Sequence, residues 1–233
     1  METVKNKGVL YGVGVGPGDP ELLTLKAVRR IGRCGVIAAP RTQGGGMLAL
    51  DIAAQAVDLS GKTILPLDFP MERDPDRRAA VHRAAAEAVE GHLAAGRDVA
   101  VLNLGDVSIY ATYAYLMELL EQRGYETVMI PGVPSFCAVA ARLGTGLTER
   151  DAPLHIAPGG AAEDILDLPG TKVLMKSGRQ LPGVLAALEK RGRLAGSMLV
   201  KNCGLPGEAV YPDLSRQAPE SGAGYFATLI VKE

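Results

Sequence analysis

Apolar residues along the chain gather into short runs, separated by glycine, proline and small polar residues. GVLYGVGV (8–15), VIAAP (36–40), TILPL (63–67), DVAVLN (98–103) and residues 126–130 read as strands. Between them lie segments of helical periodicity. In residues 21–34 the apolar positions Leu22, Leu25, Val28 and Ile31 recur every three residues, which predicts a helix. Asp19 can cap it and Pro20 suits its first turn. Further helices are expected near 47–57, over the alanine-rich stretch 75–95, and at 109–123. This alternation predicts an α/β fold with a largely parallel sheet.

After residue 130 the pattern changes. Pro131-Gly132 breaks the chain and a helix is expected near 134–143. Short strands then follow in succession near 153–157, 171–176, 197–201, 208–211 and 224–231, predicting a mixed or antiparallel sheet. The expected organisation is two domains, 1–130 and 131–233.

Composition narrows the function classes. Lys+Arg 25 against Asp+Glu 26 disfavours a nucleic-acid binder that works by bulk charge. The three cysteines (Cys34, Cys137, Cys203) and three histidines (His82, His92, His155) are scattered, so neither a disulfide framework nor a metal site is expected. No apolar run reaches eighteen residues, and Met1–Gly8 lacks a signal-peptide core, so a cytoplasmic protein without a membrane segment is expected. Gly 29 and Pro 15 together make about 19% of the chain, above the typical share of about 12%.

Much of that surplus falls at three strand-to-helix junctions. The first, Gly12–Pro20, tempts a dinucleotide fingerprint, G-x-G-x-x-G. Counting from Gly12 the third glycine position holds Pro17, and counting from Gly14 it holds Asp19. VIAAP also carries no carboxylate at its end. An NAD enzyme and a Rossmann-type methyltransferase are both disfavoured. The second junction is Leu104-Gly105-Asp106-Val107-Ser108-Ile109-Tyr110, and the third is Pro131-Gly132-Val133-Pro134-Ser135-Phe136. Each follows a buried strand, where α/β proteins bind ligands. Asp106 and Ser108 read either as ligand contacts or as plain helix caps. Tyr110 and Tyr113 share a helix face, fit for a flat ligand or for packing.

In this order, with Gly14-Val15-Gly16-Pro17-Gly18-Asp19-Pro20 leading into Leu22-Leu23-Thr24, the three segments resemble the tetrapyrrole methylases. These are class III methyltransferases that use S-adenosylmethionine. The resemblance extends through Lys172–Lys176, Val200–Gly204 and Tyr225–Val231. It implies a parallel-rich α/β N-terminal domain and a mixed-sheet α/β C-terminal domain, with the cofactor in the cleft between them, and a homodimer. Gly105–Tyr113 is most similar to members that methylate C20 of precorrin-2 or its cobalt complex in cobalamin biosynthesis, acting on sirohydrochlorin or cobalt-sirohydrochlorin. Val107 stands where many members carry proline.

Carried over by position, the resemblance implies cofactor contacts at Pro17, Leu104, Gly105, Asp106, Ile109, Pro134, Ser135, Met175, Lys176, Cys203 and Ala227. Asp106 is the residue expected to act in catalysis, by fixing the cofactor and facing the macrocycle. Basic and aromatic residues near strand ends, Arg41, Arg179, Tyr110 and Tyr113, are the expected contacts for a polycarboxylate macrocycle. The alternatives are methylation at another ring carbon, diphthine synthesis, and a non-catalytic nucleotide- or tetrapyrrole-binding module.

Overall fold

The computed structural model describes residues 7–42, 44–70, 72, 74–219 and 225–232. The chain divides into two compact units, one ending at Pro134 and the other beginning at Ser135.

The first unit alternates strand and helix: β1 (Leu10–Gly14), α1 (Leu25–Arg33), β2 (Val36–Arg41), α2 (Leu48–Ala56), β3 (Thr63–Asp68), α3 (Pro75–Ala94), β4 (Val99–Asn103), α4 (Tyr113–Gln122) and β5 (Thr127–Ile130). The strands form one sheet in the order β3-β2-β4-β1-β5, with every pairing parallel. Every position of β1 and β4 is buried. That is why these strands read as unbroken apolar runs. Leu10, Val36, Ala38, Val99 and Val101 point to one face, where α3 and α4 bring Ala86, Val89, Leu93, Leu116 and Leu120. The alternate residues, among them Val13, Ile37, Ala39 and Leu102, are buried as well. Ile31 of α1 and Ile52 of α2 are buried too.

This strand order sets how the loops at the carboxyl ends of the strands leave the sheet. From β1 the chain crosses past β4 to reach β2; from β4 it crosses past β1 to reach β5. The loops after two adjacent strands therefore leave in opposite directions, the topological arrangement at which open α/β sheets tend to bind ligands.

Two boundaries differ from expectation for local reasons. The expected helix 21–34 is two pieces. A 3₁₀ turn over Pro20–Leu22 is capped by Asp19, whose Oδ1 accepts from the Glu21 N–H at 2.8 Å. The α-helix then starts anew at Leu25, with Thr24 Oγ1 accepting from the Ala27 N–H. The helix expected from 109 begins at Tyr113, because Tyr110 stands in the left-handed region (φ 49°) and interrupts helical geometry.

The second unit contains α5 (Ser135–Arg142), β6 (Leu154–Pro158), α6 (Ala162–Ile165), β7 (Thr171–Met175), α7 (Leu181–Lys190), β8 (Ser197–Lys201), β9 (Ala209–Tyr211) and β10 (Ala227–Val231). Its sheet has the order β6-β7-β10-β8-β9 and is mixed: β6 and β7 are parallel, while β10 runs antiparallel to both β7 and β8. The expected last strand began at 224, which lies outside the described residues. Helix α7 was not expected. Pro182 falls in its first turn, where proline is tolerated. Leu181, Val184 and Leu188 carry the helical spacing and are buried. Among the described residues, no helix is long and apolar enough to cross a membrane.

Gly12 shows how tightly the first unit is packed: a Cβ there would lie 2.5 Å from the Tyr113 ring. Gly12→Ala should destabilise the protein by about 1–3 kcal/mol. Thermal unfolding would then move down by roughly 2–4 °C per kcal/mol, and an unchanged melting temperature would contradict the packing.

Candidate active site

In the first unit, three loops at the carboxyl ends of β1, β4 and β5 are bound together through backbone. Val15 donates to the Asn103 carbonyl at 2.9 Å. Gly16 and Gly105 exchange two hydrogen bonds, Gly16 N–H to Gly105 O at 3.2 Å and Gly105 N–H to Gly16 O at 2.7 Å. Both glycines are left-handed, with φ 78° and 74°. Gly14 and Gly132 close the approach. A Cβ on Gly14 would meet the Gly132 N at 2.7 Å, and one on Gly132 would meet the Gly105 carbonyl at 2.3 Å. A side chain at either position would push the loops apart.

Asp106 stitches the second loop to the third. Its Oδ1 accepts from the Ser108 N–H at 2.8 Å and from the Ser108 hydroxyl. Its Oδ2 accepts from the Gly132 N–H at 2.8 Å. Burial alone would raise this carboxyl. The hydrogen bonds from the Ser108 side chain and backbone and from the Gly132 and Val107 N–H groups outweigh it and hold the pKa below the usual carboxylate value. Asp106 is not the helix cap its motif allowed, because α4 begins only at Tyr113; it makes a local turn with Ser108 and clasps across to the loop after β5. Gly105, Asp106 and Pro17 are buried, while Leu104, Ile109 and Pro134 are half-buried on the same three loops.

Other expected residues of this unit fall elsewhere. Tyr113 is fully buried, so it is not a substrate contact. Its ring covers Gly12, and its hydroxyl donates toward the carbonyls of Leu10 (3.5 Å) and Val128 (3.3 Å). Burial pushes that hydroxyl's pKa up to about 12. Tyr110, by contrast, is exposed on the loop before α4. Arg41 meets a carboxylate of its own chain, donating to Asp68 from Nε at 2.8 Å and from Nη2 at 2.6 Å. Tyr115 stacks on the His82 imidazole at 4.3 Å.

In the second unit, Met175, Lys176, Cys203 and Ala227 gather at one edge of the sheet. The antiparallel pairing explains this: β10 begins where β7 and β8 end, with Ala227 opposite Lys201. Two non-glycine residues turn left-handed there, Lys176 (φ 54°) and Asn202 (φ 51°). Both turns are tied to the start of β10. Ser177 N–H donates to the Ala227 carbonyl at 3.3 Å, and Asn202 N–H donates to the Phe226 carbonyl at 2.8 Å. Strained backbone of this kind concentrates at functional sites. Ser177, Asn202 and Gly159, where a Cβ would lie 2.6 Å from Ser177 Oγ, escaped sequence reasoning. The one usable signal was Asn202, a residue type that tolerates the left-handed region, at a strand end before Cys-Gly. Ser135 is half-buried at the start of α5, and Arg179 is exposed beside an open depression of about 410 Å³ lined by Gly159, Gly160 and Gly183. Cys203 is half-buried and its thiol is pushed up to about 11, first by burial and then by Glu208. Among the described residues there is no cluster of His, Cys, Asp and Glu that could hold a metal ion.

Comparison with known proteins adds to this geometry. The family model described as "Tetrapyrrole (Corrin/Porphyrin) Methylases" matches residues 9–219. A precorrin-2 C(20)-methyltransferase of Sinorhizobium sp. is 36% identical, with 96% of this chain and 95% of that protein covered. A cobalt-precorrin-2 C(20)-methyltransferase of Salmonella typhimurium is 29% identical, with 97% of each covered. The crystal structure of a uroporphyrin-III C-methyltransferase from Thermus thermophilus, complexed with S-adenosylhomocysteine, superposes with a TM-score of 0.66. It is 21% identical and covers 97% of this chain and 98% of that one, a likeness of fold.

The clasp makes a testable demand. Asp106→Ala leaves the Gly132 N–H without its acceptor and should cost about 1–3 kcal/mol in chemical denaturation at neutral pH. Because the folded pKa is lowered, this stabilisation is complete above the ordinary value of 3.8 and fades as pH falls through the folded value. The wild type and variant should therefore converge in strong acid. Equal midpoints at pH 7 would contradict the clasp.

Proposed function

The chain belongs to the tetrapyrrole methylase family, and we propose that it transfers the methyl group of S-adenosylmethionine to C20 of precorrin-2 or its cobalt complex, in corrin-ring biosynthesis. The observation that carries this reading is the full-length likeness to a precorrin-2 C(20)-methyltransferase, with 96% of this chain and 95% of that protein covered. The Salmonella relative named for the cobalt complex supports the same ring position. The protein acts as a cytoplasmic homodimer on this reading.

The residues present fit such a cofactor. Gly16 and Gly105 present backbone without side chains at the end of a parallel sheet, where a ligand can approach closely. The Cys203 thiol, pushed up to about 11, stays protonated at neutral pH and so does not compete for an electrophilic methyl group. In the first unit Pro17, Leu104, Gly105, Asp106, Ile109 and Pro134 are the proposed cofactor residues; in the second they are Ser135, Met175, Lys176, Cys203 and Ala227.

S-adenosylmethionine supplies a methyl carbon already activated by its positive sulfur. What remains for the chain is to bind, align and exclude water, so that nucleophilic carbon, methyl and sulfur stand in line. Asp106 contributes by holding loops rather than by strong base catalysis: hydrogen bonds occupy both of its oxygens and depress its basicity. Tyr110 and Arg179, both exposed, are the proposed macrocycle contacts, together with Arg41, for which substrate carboxylates compete with Asp68.

The test is direct. Incubation with S-adenosylmethionine and either precorrin-2 or its oxidised form sirohydrochlorin, each with and without cobalt, should add one methyl group by mass spectrometry, and NMR should locate it at C20. A methyl at another ring carbon would reassign the regiochemistry. Ligand binding with no methyl gain would favour a non-catalytic binding module.

A further inference from the structure

The connection between β8 and β9, Asn202–Glu208, is more tightly specified than a surface hairpin requires. Asn202, Gly204 and Gly207 are all left-handed, with φ 51°, 74° and 76°. Backbone bonds already close the turn, from the Leu205 N–H to the Asn202 carbonyl at 2.9 Å and from the Glu208 N–H to the Leu205 carbonyl at 3.1 Å. The Asn202 side-chain amide adds contacts to the carbonyls of Pro206 and Gly207. Glu208 then does something further. Its Oε2 accepts from the Gly204 N–H at 2.9 Å, while its Oε1 accepts from Arg142 Nε of α5 at 2.6 Å. The Gly204 N–H, and secondarily Arg142, hold the Glu208 carboxyl below its ordinary value, so it is a carboxylate at neutral pH.

The Gly204 N–H belongs to the peptide unit that joins Cys203 to Gly204. In a trans peptide the carbonyl points opposite the N–H. Fixing that N–H on Glu208 therefore fixes the plane of the peptide and turns the Cys203 carbonyl away from the carboxylate. We propose that Glu208, itself held by Arg142, is a positioning residue for S-adenosylmethionine, acting through the Cys203–Gly204 peptide. This rests on the reading of Cys203 as a cofactor residue given above. Glu208 touches neither reactant, so its removal should weaken cofactor binding and leave the chemical step alone.

Calorimetric titration with S-adenosylhomocysteine, paired with steady-state kinetics, decides it. Glu208→Ala should weaken binding about tenfold. KM for S-adenosylmethionine should rise in step, while kcat and the KM for the tetrapyrrole hold. Glu208→Gln keeps an acceptor for the Gly204 N–H and should recover most of the affinity. Arg142→Gln should show a smaller loss, and it decides the matter if Glu208→Ala does not fold. Wild-type affinity in Glu208→Ala, or an equal loss for both substrates without rescue by glutamine, would overturn the proposal and leave the cofactor reading intact. A wild-type protein that does not bind S-adenosylhomocysteine would overturn the cofactor reading, and the proposal with it.

Discussion

The first unit depends on one steric constraint: three strand-end loops meet at distances that only unsubstituted backbone permits. A Cβ on Gly14 or Gly132 would strike the Gly105 carbonyl, and the Gly16–Gly105 bridge holds two loops in register. Asp106 is the polar counterpart of that constraint. It satisfies the Gly132 N–H and its own turn with one carboxylate, so the close approach leaves that N–H with its acceptor. The parallel strand order sends the β1 and β4 loops in opposite directions. The glycines and Asp106 then fix what stands at their origin.

The second unit solves a similar problem by different means. Its strand ends turn through left-handed Lys176 and Asn202, residues that carry side chains, and the start of β10 accepts hydrogen bonds from both turns. Such conformations persist when surrounding contacts over-determine them. Here the contacts are the Phe226 and Ala227 carbonyls, with Glu208 and Arg142 bracing the loop beyond Asn202. In both units a carboxylate receives a glycine N–H, from Gly132 in one and from Gly204 in the other.

Strands β1 and β4 were legible because burial on both faces writes unbroken apolar runs, and the three loops were legible because close backbone approach demands glycine. The failures have equally physical causes. Tyr113 follows Tyr110 by three residues, but Tyr110 stands outside α4, and spacing alone does not reveal that one is locked over Gly12 while the other is exposed. Helix α7 hid behind Pro182 and Gly183, breakers in a helix interior but tolerable in a first turn. Asp106 and Ser108 could be read as cap or contact; the partner across the fold, Gly132, is a tertiary fact that no local pattern encodes. Glu208 and Arg142 are sixty-six positions apart in sequence, which is why their pairing left no signature.

On the proposed function, the loops clasped by Asp106 form the cofactor-holding surface of the first unit. A crystal structure with bound S-adenosylhomocysteine tests it most directly. The ligand should lie against Pro17, Gly105 and Ile109, with Asp106 still accepting from the Gly132 N–H. A ligand seated away from these loops, or an Asp106 that has released Gly132 to bind it, would contradict a cofactor surface clasped by Asp106.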